Sequence, residues 1–174
     1  SPEKGGKVTA LDIHPHKIKL INQNAKRLHV QDQIEAVQLD ARKVDEKFDD
    51  ETFDRILVDA PCSGLGLIRR KPEIRYEKSL SDSQHLQKVQ LDILNGVAPK
   101  LQTDGILVYS TCTILDEENK DVYTEFLRQN SNFRSVKVKT DKNLKLDRKT
   151  DYLEIFPDDF DSDGFFISAF QKVK

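Results

Sequence analysis

The chain has 174 residues, 37% hydrophobic residues and a net charge of −2. This length suits one soluble domain with its own core, and no apolar run approaches the roughly 20 residues that a membrane-spanning helix needs. The charge excludes a polycation that binds nucleic acid over its whole surface. Cys62 and Cys112 lack metal-ligand spacing, which favours reduced thiols in a cytoplasmic protein over a disulfide or a zinc site.

Segments with strand-like and helix-like patterns alternate along the chain, which is typical of βαβ units. The predicted strands are 7–11, 34–39, 53–58, 105–110, 133–138 and 165–170. The predicted helices run from Pro15 to about Leu28, from Ser81 to Leu101, and from Asp116 to near Asn130. Residues 139–163 are polar and receive no assignment. The pattern predicts an α/β fold with a mainly parallel, doubly wound, Rossmann-like sheet.

Carboxylates follow the first two predicted strands. A carboxylate at such a position in a Rossmann-like sheet can bind a ribose diol, which makes Asp12 a candidate ligand. Asp12 can equally cap the helix that begins near Pro15, and both roles can hold together. Asp40 has the simpler interpretation of a turn residue. Asp116, Glu117 and Glu118 place negative charge in the first turn of the third helix, where the helix dipole favours it.

The sharpest pattern is the stretch FDRILVDAPCSGLG at 53–66, where an apolar strand ends abruptly at Asp59, Pro61 and Cys62. Cys112 likewise follows an apolar strand. An isolated free cysteine is usually a small buried hydrophobic residue. If the two strands are neighbours, however, both thiols point into the same crevice beyond the sheet, and two thiols beside a carboxylate indicate covalent catalysis. The histidines lie in or near predicted helices and are weaker candidates for a general base.

A basic segment follows this stretch directly. Its cations are Arg69, Arg70, Lys71 and Arg75. A charge run is often only a solvated face, but its position next to the proposed site favours contacts with phosphate groups. Tyr76 could stack on a base. The seven glycines form neither a GxGxxG loop after a first strand nor a P-loop.

These motifs resemble those of the S-adenosylmethionine-dependent RNA (cytosine-5) methyltransferases. The resemblance rests on DAPCSGLG at 59–66, STCTI at 110–114 and DGFF at 163–166. Two further stretches, TALDIHPHKIKLINQNAKRL at 9–28 and RRKPEIRY at 69–76, resemble the bacterial Sun (RsmB) branch, which methylates small-subunit ribosomal RNA. The resemblance covers nearly the whole chain and implies a class I methyltransferase fold.

The resemblance also implies roles for individual residues. Asp12 would hold the ribose hydroxyls of S-adenosylmethionine, Asp40 would lie by its adenine, and Asp59 and Pro61 would complete the cofactor site. Asp59 would also hydrogen-bond the target cytosine near N3. Cys112 would be the nucleophile that adds to C6, and Cys62 would assist product release. Exchanged roles of the two cysteines are the main mechanistic alternative.

The family pattern includes a first strand, a Gly-rich loop and a helix before the Asp12 strand, and these do not occur in this sequence. We therefore expect residues 1–174 to be the C-terminal part of one catalytic domain, without the upstream RNA-binding domains. Such a part would bind the cofactor weakly or not at all and would be inactive by itself, and an exposed apolar edge would favour self-association. The alternatives are a non-catalytic RNA-binding or ribosome-assembly module and a nucleotide-dependent oxidoreductase. The retained Asp59, Cys62 and Cys112 argue against the first. Asp12 fits the second, but the two cysteine motifs do not.

Overall fold

The structure is a computed structural model that describes residues 5–71, 73, 80–142, 144–145 and 147–174, except the side chains of Leu80 and Ser81. The strands are β1 (Val8–Asp12), β2 (Ile34–Gln38), β3 (Phe53–Asp59), β4 (Leu101–Thr111), β5 (Phe133–Val136), β6 (Leu153–Ile155) and β7 (Phe165–Lys172). The helices are α1 (Pro15–Arg27), α2 (Leu80–Val97) and α3 (Lys120–Gln129).

Each predicted strand and helix is confirmed, with its ends moved by a few residues. Strand β4 begins at Leu101 rather than Gly105. Leu101 is fully buried and pairs with Phe53, so the polar residues that follow Leu101 belong to the strand. The third helix begins later than predicted, because Asp116–Glu118 forms a separate 3-10 turn before α3. Strand β6 lies in the segment that received no assignment.

The chain packs as two compact units, Ser1–Phe48 and Asp49–Lys174. In the first unit, β1 and β2 pair in parallel from Val8↔Ile34 to Asp12↔Gln38, and α1 makes the connection between them. Pro15 occupies the first turn of α1, and Lys26 and Arg27 lie in its last turn, as the helix dipole favours.

The second unit contains a five-stranded sheet in the order β3-β4-β7-β5, with β6 also paired to β7. Only β3 and β4 pair in parallel, and β7 runs antiparallel to β4, β5 and β6. The prediction of a mainly parallel sheet is therefore wrong for this unit. The short connection from β6 to β7 suits an antiparallel pair, whereas a parallel pair needs a long crossover.

The core of the second unit lies between one face of this sheet and the helices. Alternate residues of β4 and β7 point to that face, so Leu107, Tyr109, Phe166 and Phe170 are all fully buried. Phe126 of α3 packs against Phe170, with ring centroids 4.7 Å apart. This packing fixes β4 and β7 against the helices, and hence fixes the loops at their ends.

The strand register brings several loops to one edge of the sheet. Asp59 pairs with Ser110, and Thr111 pairs with Phe166. The residues after β3, after β4 and before β7 therefore lie side by side. Among the described residues, no helix is long and apolar enough to cross a bilayer, and no three His, Cys, Asp or Glu side chains are grouped to hold a metal ion.

Backbone contacts at Gly66 lock these loops together. Gly66 N donates to the carbonyl of Cys112 at 2.9 Å, and Gly164 N donates to the carbonyl of Gly66 at 2.8 Å. A Cβ atom at Gly66 would lie 2.3 Å from the Gly164 oxygen and 2.7 Å from the Cys112 oxygen. Only glycine allows this approach, because both neighbours are backbone atoms with little freedom to move.

We predict that Gly66→Ala lowers the free energy of unfolding of the second unit by about 1–3 kcal/mol, the usual range for overpacking. Gly6→Ala is the matched control, since a Cβ atom there would meet nothing within 4 Å. Urea unfolding followed by tyrosine fluorescence tests this, because all four tyrosines lie in residues 49–174. Equal stability of the two variants would contradict the role assigned to Gly66.

Candidate active site

Two thiols meet at the edge of the sheet where β3 and β4 end. Cys62 follows β3 after two residues and Cys112 follows β4 directly, and their Sγ atoms lie 3.1 Å apart. The backbone N–H of Cys112 also points at Cys62 Sγ, at 3.4 Å. Both side chains are partly buried. The predicted meeting of the two thiols is confirmed, and it follows from the parallel pairing of their strands.

The contact makes the two thiols chemically different. A hydrogen bond from the Cys62 side chain lowers the pKa of Cys112 from 9.0 to about 7, although burial and the negative charges of Asp59 and Glu118 act against this shift. The same hydrogen bond to Cys112 raises the pKa of Cys62, and burial adds to the rise. At neutral pH Cys112 is therefore the thiol that ionises, and Cys62 is the thiol that keeps its proton.

Asp59 lies beside the thiols as the last residue of β3. Its Oδ1 accepts a hydrogen bond from Ser110 Oγ at 3.1 Å, across the strand pair. The loop leaves β3 in contact with β4, since the next residue, Ala60, donates its N–H to the Ser110 carbonyl at 3.0 Å. The carboxylate itself is exposed, so it can reach a ligand at this edge.

Glu118 is a site residue that the sequence interpretation missed. It lies in the 3-10 turn before α3 and is fully buried. Its carboxylate accepts from Ser63 N at 2.8 Å, from Gln90 Nε2 at 3.1 Å and from Thr113 Oγ1 at 3.3 Å. The spacing could have revealed it: Glu118 precedes the buried residues Val122 and Phe126 by four and eight positions, which places it on their face.

The two candidate cofactor ligands of the first unit, Asp12 and Asp40, are held by local contacts. Asp12 Oδ1 accepts from His14 N at 2.8 Å, and His14, not Asp12, is the N-cap residue of α1. Asp40 accepts from the backbone and the guanidinium of Arg42, with 2.6 Å between Arg42 Nη2 and Asp40 Oδ2. These bonds lower the pKa of Asp40. The contact with His14 N uses only Oδ1 of Asp12, whereas Arg42 bonds to both carboxylate oxygens of Asp40.

The basic segment is only partly described. Arg69 pairs with Asp161 and donates to the Pro157 carbonyl, and Arg70 pairs with Asp163 at 3.1 Å. Lys71 is exposed. Arg75 and Tyr76 lie outside the described residues. The two arginines therefore already have acidic partners, which the sequence pattern did not indicate.

Known proteins resemble this chain over most of its length. The model of the family described as "16S rRNA methyltransferase RsmB/F" matches residues 2–171. The "Probable ribosomal RNA small subunit methyltransferase B" of Bacillus subtilis (strain 168) is 45% identical over 96% of this chain. The chain spans 38% of the length of that relative.

Solved structures share the fold. The crystal structure of PH0851 superposes with a TM-score of 0.88 at 28% identity, over 96% of this chain and 37% of that one. NSun6 from Pyrococcus horikoshii with SFG gives a TM-score of 0.79 at 27% identity, over 97% of this chain and 42% of that one. The predicted Rossmann-like class I methyltransferase fold is confirmed, as part of longer proteins. The chain belongs to the 16S rRNA methyltransferase RsmB/F family.

Proposed function

We propose that this chain forms part of an enzyme that methylates C5 of a cytosine in small-subunit ribosomal RNA, with S-adenosylmethionine as the methyl donor. The observation that carries the proposal is the 3.1 Å contact between Cys62 and Cys112 Sγ atoms, at the end of two parallel strands and beside the Asp59 carboxylate. Membership of the family supports the methyltransferase class and the ribosomal RNA substrate. Such an enzyme would act in the cytoplasm.

Cysteine chemistry solves a specific problem at this carbon. C5 of cytosine is a poor nucleophile, but addition of a thiolate to C6 converts the ring to an enamine-like adduct. Cys112 is suited to this addition, because its pKa of about 7 provides thiolate at neutral pH. S-adenosylmethionine, when bound, supplies a methyl group on a positively charged sulfur, and the activated C5 atom accepts that group.

Cys62 is suited to the steps that follow. The C5 proton must leave, and the bond between C6 and Cys112 Sγ must then break so that Cys112 is expelled as a thiolate. While Cys112 is bonded to C6 it carries no charge, so the electrostatic repulsion and the hydrogen bond that raise the pKa of Cys62 are relieved. Cys62 can then lose its proton to solvent, and the resulting thiolate can take the C5 proton. The thiol formed in this way can donate a hydrogen bond to Cys112 as Cys112 leaves.

Asp59 would act at N3 of the cytosine, which lies across the ring from C6. A hydrogen bond or proton at N3 stabilises the charge that the addition places on the ring, and the Ser110 hydroxyl holds the Asp59 carboxylate in a defined direction. The target base has to leave any stack to reach this pocket.

The family resemblance implies that Asp12, Asp40, Asp59 and Pro61 bind the cofactor. Asp12 fits the role of a ribose ligand, because its contact with His14 N uses only Oδ1 and leaves Oδ2 for a hydroxyl group. Asp59 and Pro61 would bind the methionine part. Asp40 fits less well as a polar ligand of the adenine, since Arg42 engages both of its carboxylate oxygens.

The RNA backbone would contact the basic segment. Arg69 and Arg70 lie on the surface. The ion pair of Arg69 with the exposed Asp161 is of a kind that contributes about 0–1 kcal/mol, whereas Asp163, the partner of Arg70, is buried. A phosphate group can therefore replace Asp161 as the partner of Arg69 at little cost. The exposed Lys71 is a further predicted RNA contact, as is Arg75, which lies outside the described residues.

A covalent trap tests the assigned roles in the full-length protein. Incubation with S-adenosylmethionine and RNA that contains 5-fluorocytosine should leave the RNA attached to the protein, because fluorine cannot leave C5 as a proton does. We expect the adduct on the tryptic peptide 101–120, which contains Cys112, and none after Cys112→Ala. An adduct on peptide 56–69 would exchange the roles of the two cysteines, and no adduct with any RNA would contradict the proposal.

The pH dependence of Cys112 alkylation tests the contact between the thiols. Cys62→Ala removes the hydrogen bond that stabilises the Cys112 thiolate, so the midpoint of alkylation should rise from about 7 toward the ordinary value of 9.0. Asp59→Asn should move the midpoint in the opposite direction, because the Asp59 charge raises the pKa of Cys112. Iodoacetamide labelling of peptide 101–120 measures both. An unchanged midpoint in Cys62→Ala would show that the thiols do not interact in solution.

A further inference from the structure

One buried carboxylate connects the two cysteine loops. Glu118 accepts from the backbone N–H of Ser63, the residue after Cys62, and from the hydroxyl of Thr113, the residue after Cys112. The Ser63 and Thr113 hydroxyl oxygens also lie 2.8 Å apart. The two loops are therefore joined one residue beyond each thiol.

The same residue is anchored on its other side. Gln90 of α2 donates to the Glu118 carboxylate at 3.1 Å and to the Pro61 carbonyl at 2.9 Å, so it holds the loop just before Cys62. Tyr109 of β4 donates its hydroxyl proton to the Glu118 backbone carbonyl at 2.6 Å. Both contacts involve fully buried residues. Hydrogen bonds thus hold Glu118 in the core, and both cysteine loops are bonded to its carboxylate.

Every donor that the structure describes for this carboxylate is neutral. A buried carboxylate without a cation is costly, and it needs several hydrogen bonds to offset the loss of water. A residue that served packing alone could be apolar at this position with less cost. The partners of Glu118 instead surround the two thiols, which points to a role in the geometry of the site.

We propose that Glu118 is a positioning residue that sets the separation of the Cys62 and Cys112 thiols. The inference rests on the proposed function for its biological meaning, but the thiol geometry can be measured without it. The groups that face Cys112 from the packed elements are Cys62, Asp59 and Glu118, and Tyr109 lies close to both Cys62 and Glu118.

Glu118 acts on Cys112 in two opposed ways. Its negative charge raises the pKa of Cys112. Its hydrogen bonds keep Cys62 in place, and the hydrogen bond from Cys62 is the largest cause that lowers the pKa of Cys112. Variants that keep or remove the hydrogen bonds therefore separate the two effects.

The test is iodoacetamide labelling of peptide 101–120 as a function of pH, in folded full-length protein. Glu118→Ala should let the thiols separate, raise the midpoint by about one pH unit and slow labelling at pH 7 about fivefold. Glu118→Gln keeps an acceptor for Ser63 N and Gln90 while removing the charge, so its midpoint should stay equal or fall. If Glu118→Ala does not fold, Thr113→Val provides the second test. It keeps the side-chain volume but removes the hydroxyl that donates to Glu118, so it should also raise the midpoint of Cys112 labelling.

Glu125→Ala is the matched control. Glu125 also accepts several hydrogen bonds, but its partners are Arg128 and Gln129 on the surface of α3. Its loss should leave the Cys112 midpoint unchanged. Midpoints of Glu118→Ala and Thr113→Val within about 0.3 pH unit of the parent would overturn the inference.

The outcomes separate this inference from the proposed function. If the parent protein forms no adduct with any RNA but the Glu118 variants shift the midpoint, the positioning role stands and the proposed reaction fails. If the adduct forms normally and the midpoints do not move, the reaction stands and Glu118 is a packing residue only. With an active parent, Glu118→Ala should lower kcat about tenfold or more with a nearly unchanged KM for S-adenosylmethionine.

Discussion

The parallel pairing of β3 and β4 is the constraint on which the site depends. Both strands end at the same edge of the sheet, and the pairing of Asp59 with Ser110 sets how far each loop extends beyond it. A shift of one residue in a strand pair turns every side chain to the opposite face. The pairing therefore brings together two thiols that are 50 positions apart in sequence.

Hydrogen bonds also hold the loops beyond these strands. Gly66 bonds to the backbone at Cys112 and Gly164, and Glu118 bonds to the residues that follow each cysteine. Loops usually tolerate change, but these are surrounded by fully buried neighbours such as Tyr109 and Gln90. A covalent reaction benefits from this arrangement, because a thiol displaced by about 1 Å loses its alignment with the reacting carbon.

Environment makes two chemically identical side chains different. The hydrogen bond between the two sulfur atoms lowers the pKa of Cys112 and raises the pKa of Cys62, so Cys112 is the thiol that loses its proton first. This assignment agrees with the roles that the family resemblance implies, yet it comes from a different source. The carboxylates of Asp59 and Glu118 limit the effect, because each raises the pKa of Cys112. The site therefore holds Cys112 near its point of ionisation at neutral pH.

Local patterns in the sequence were enough for the order of strands and helices, for the carboxylates and thiols at the strand ends, and for the family. These features depend on periodicity and on neighbouring residues, which a linear sequence displays. Tertiary structure alone decided the antiparallel direction of β7, the ion pairs of Arg69 and Arg70, the burial of Glu118 and the choice of the ionised thiol. Each of these depends on groups that are distant in sequence, and only the packed chain determines the distances and the exclusion of water between such groups.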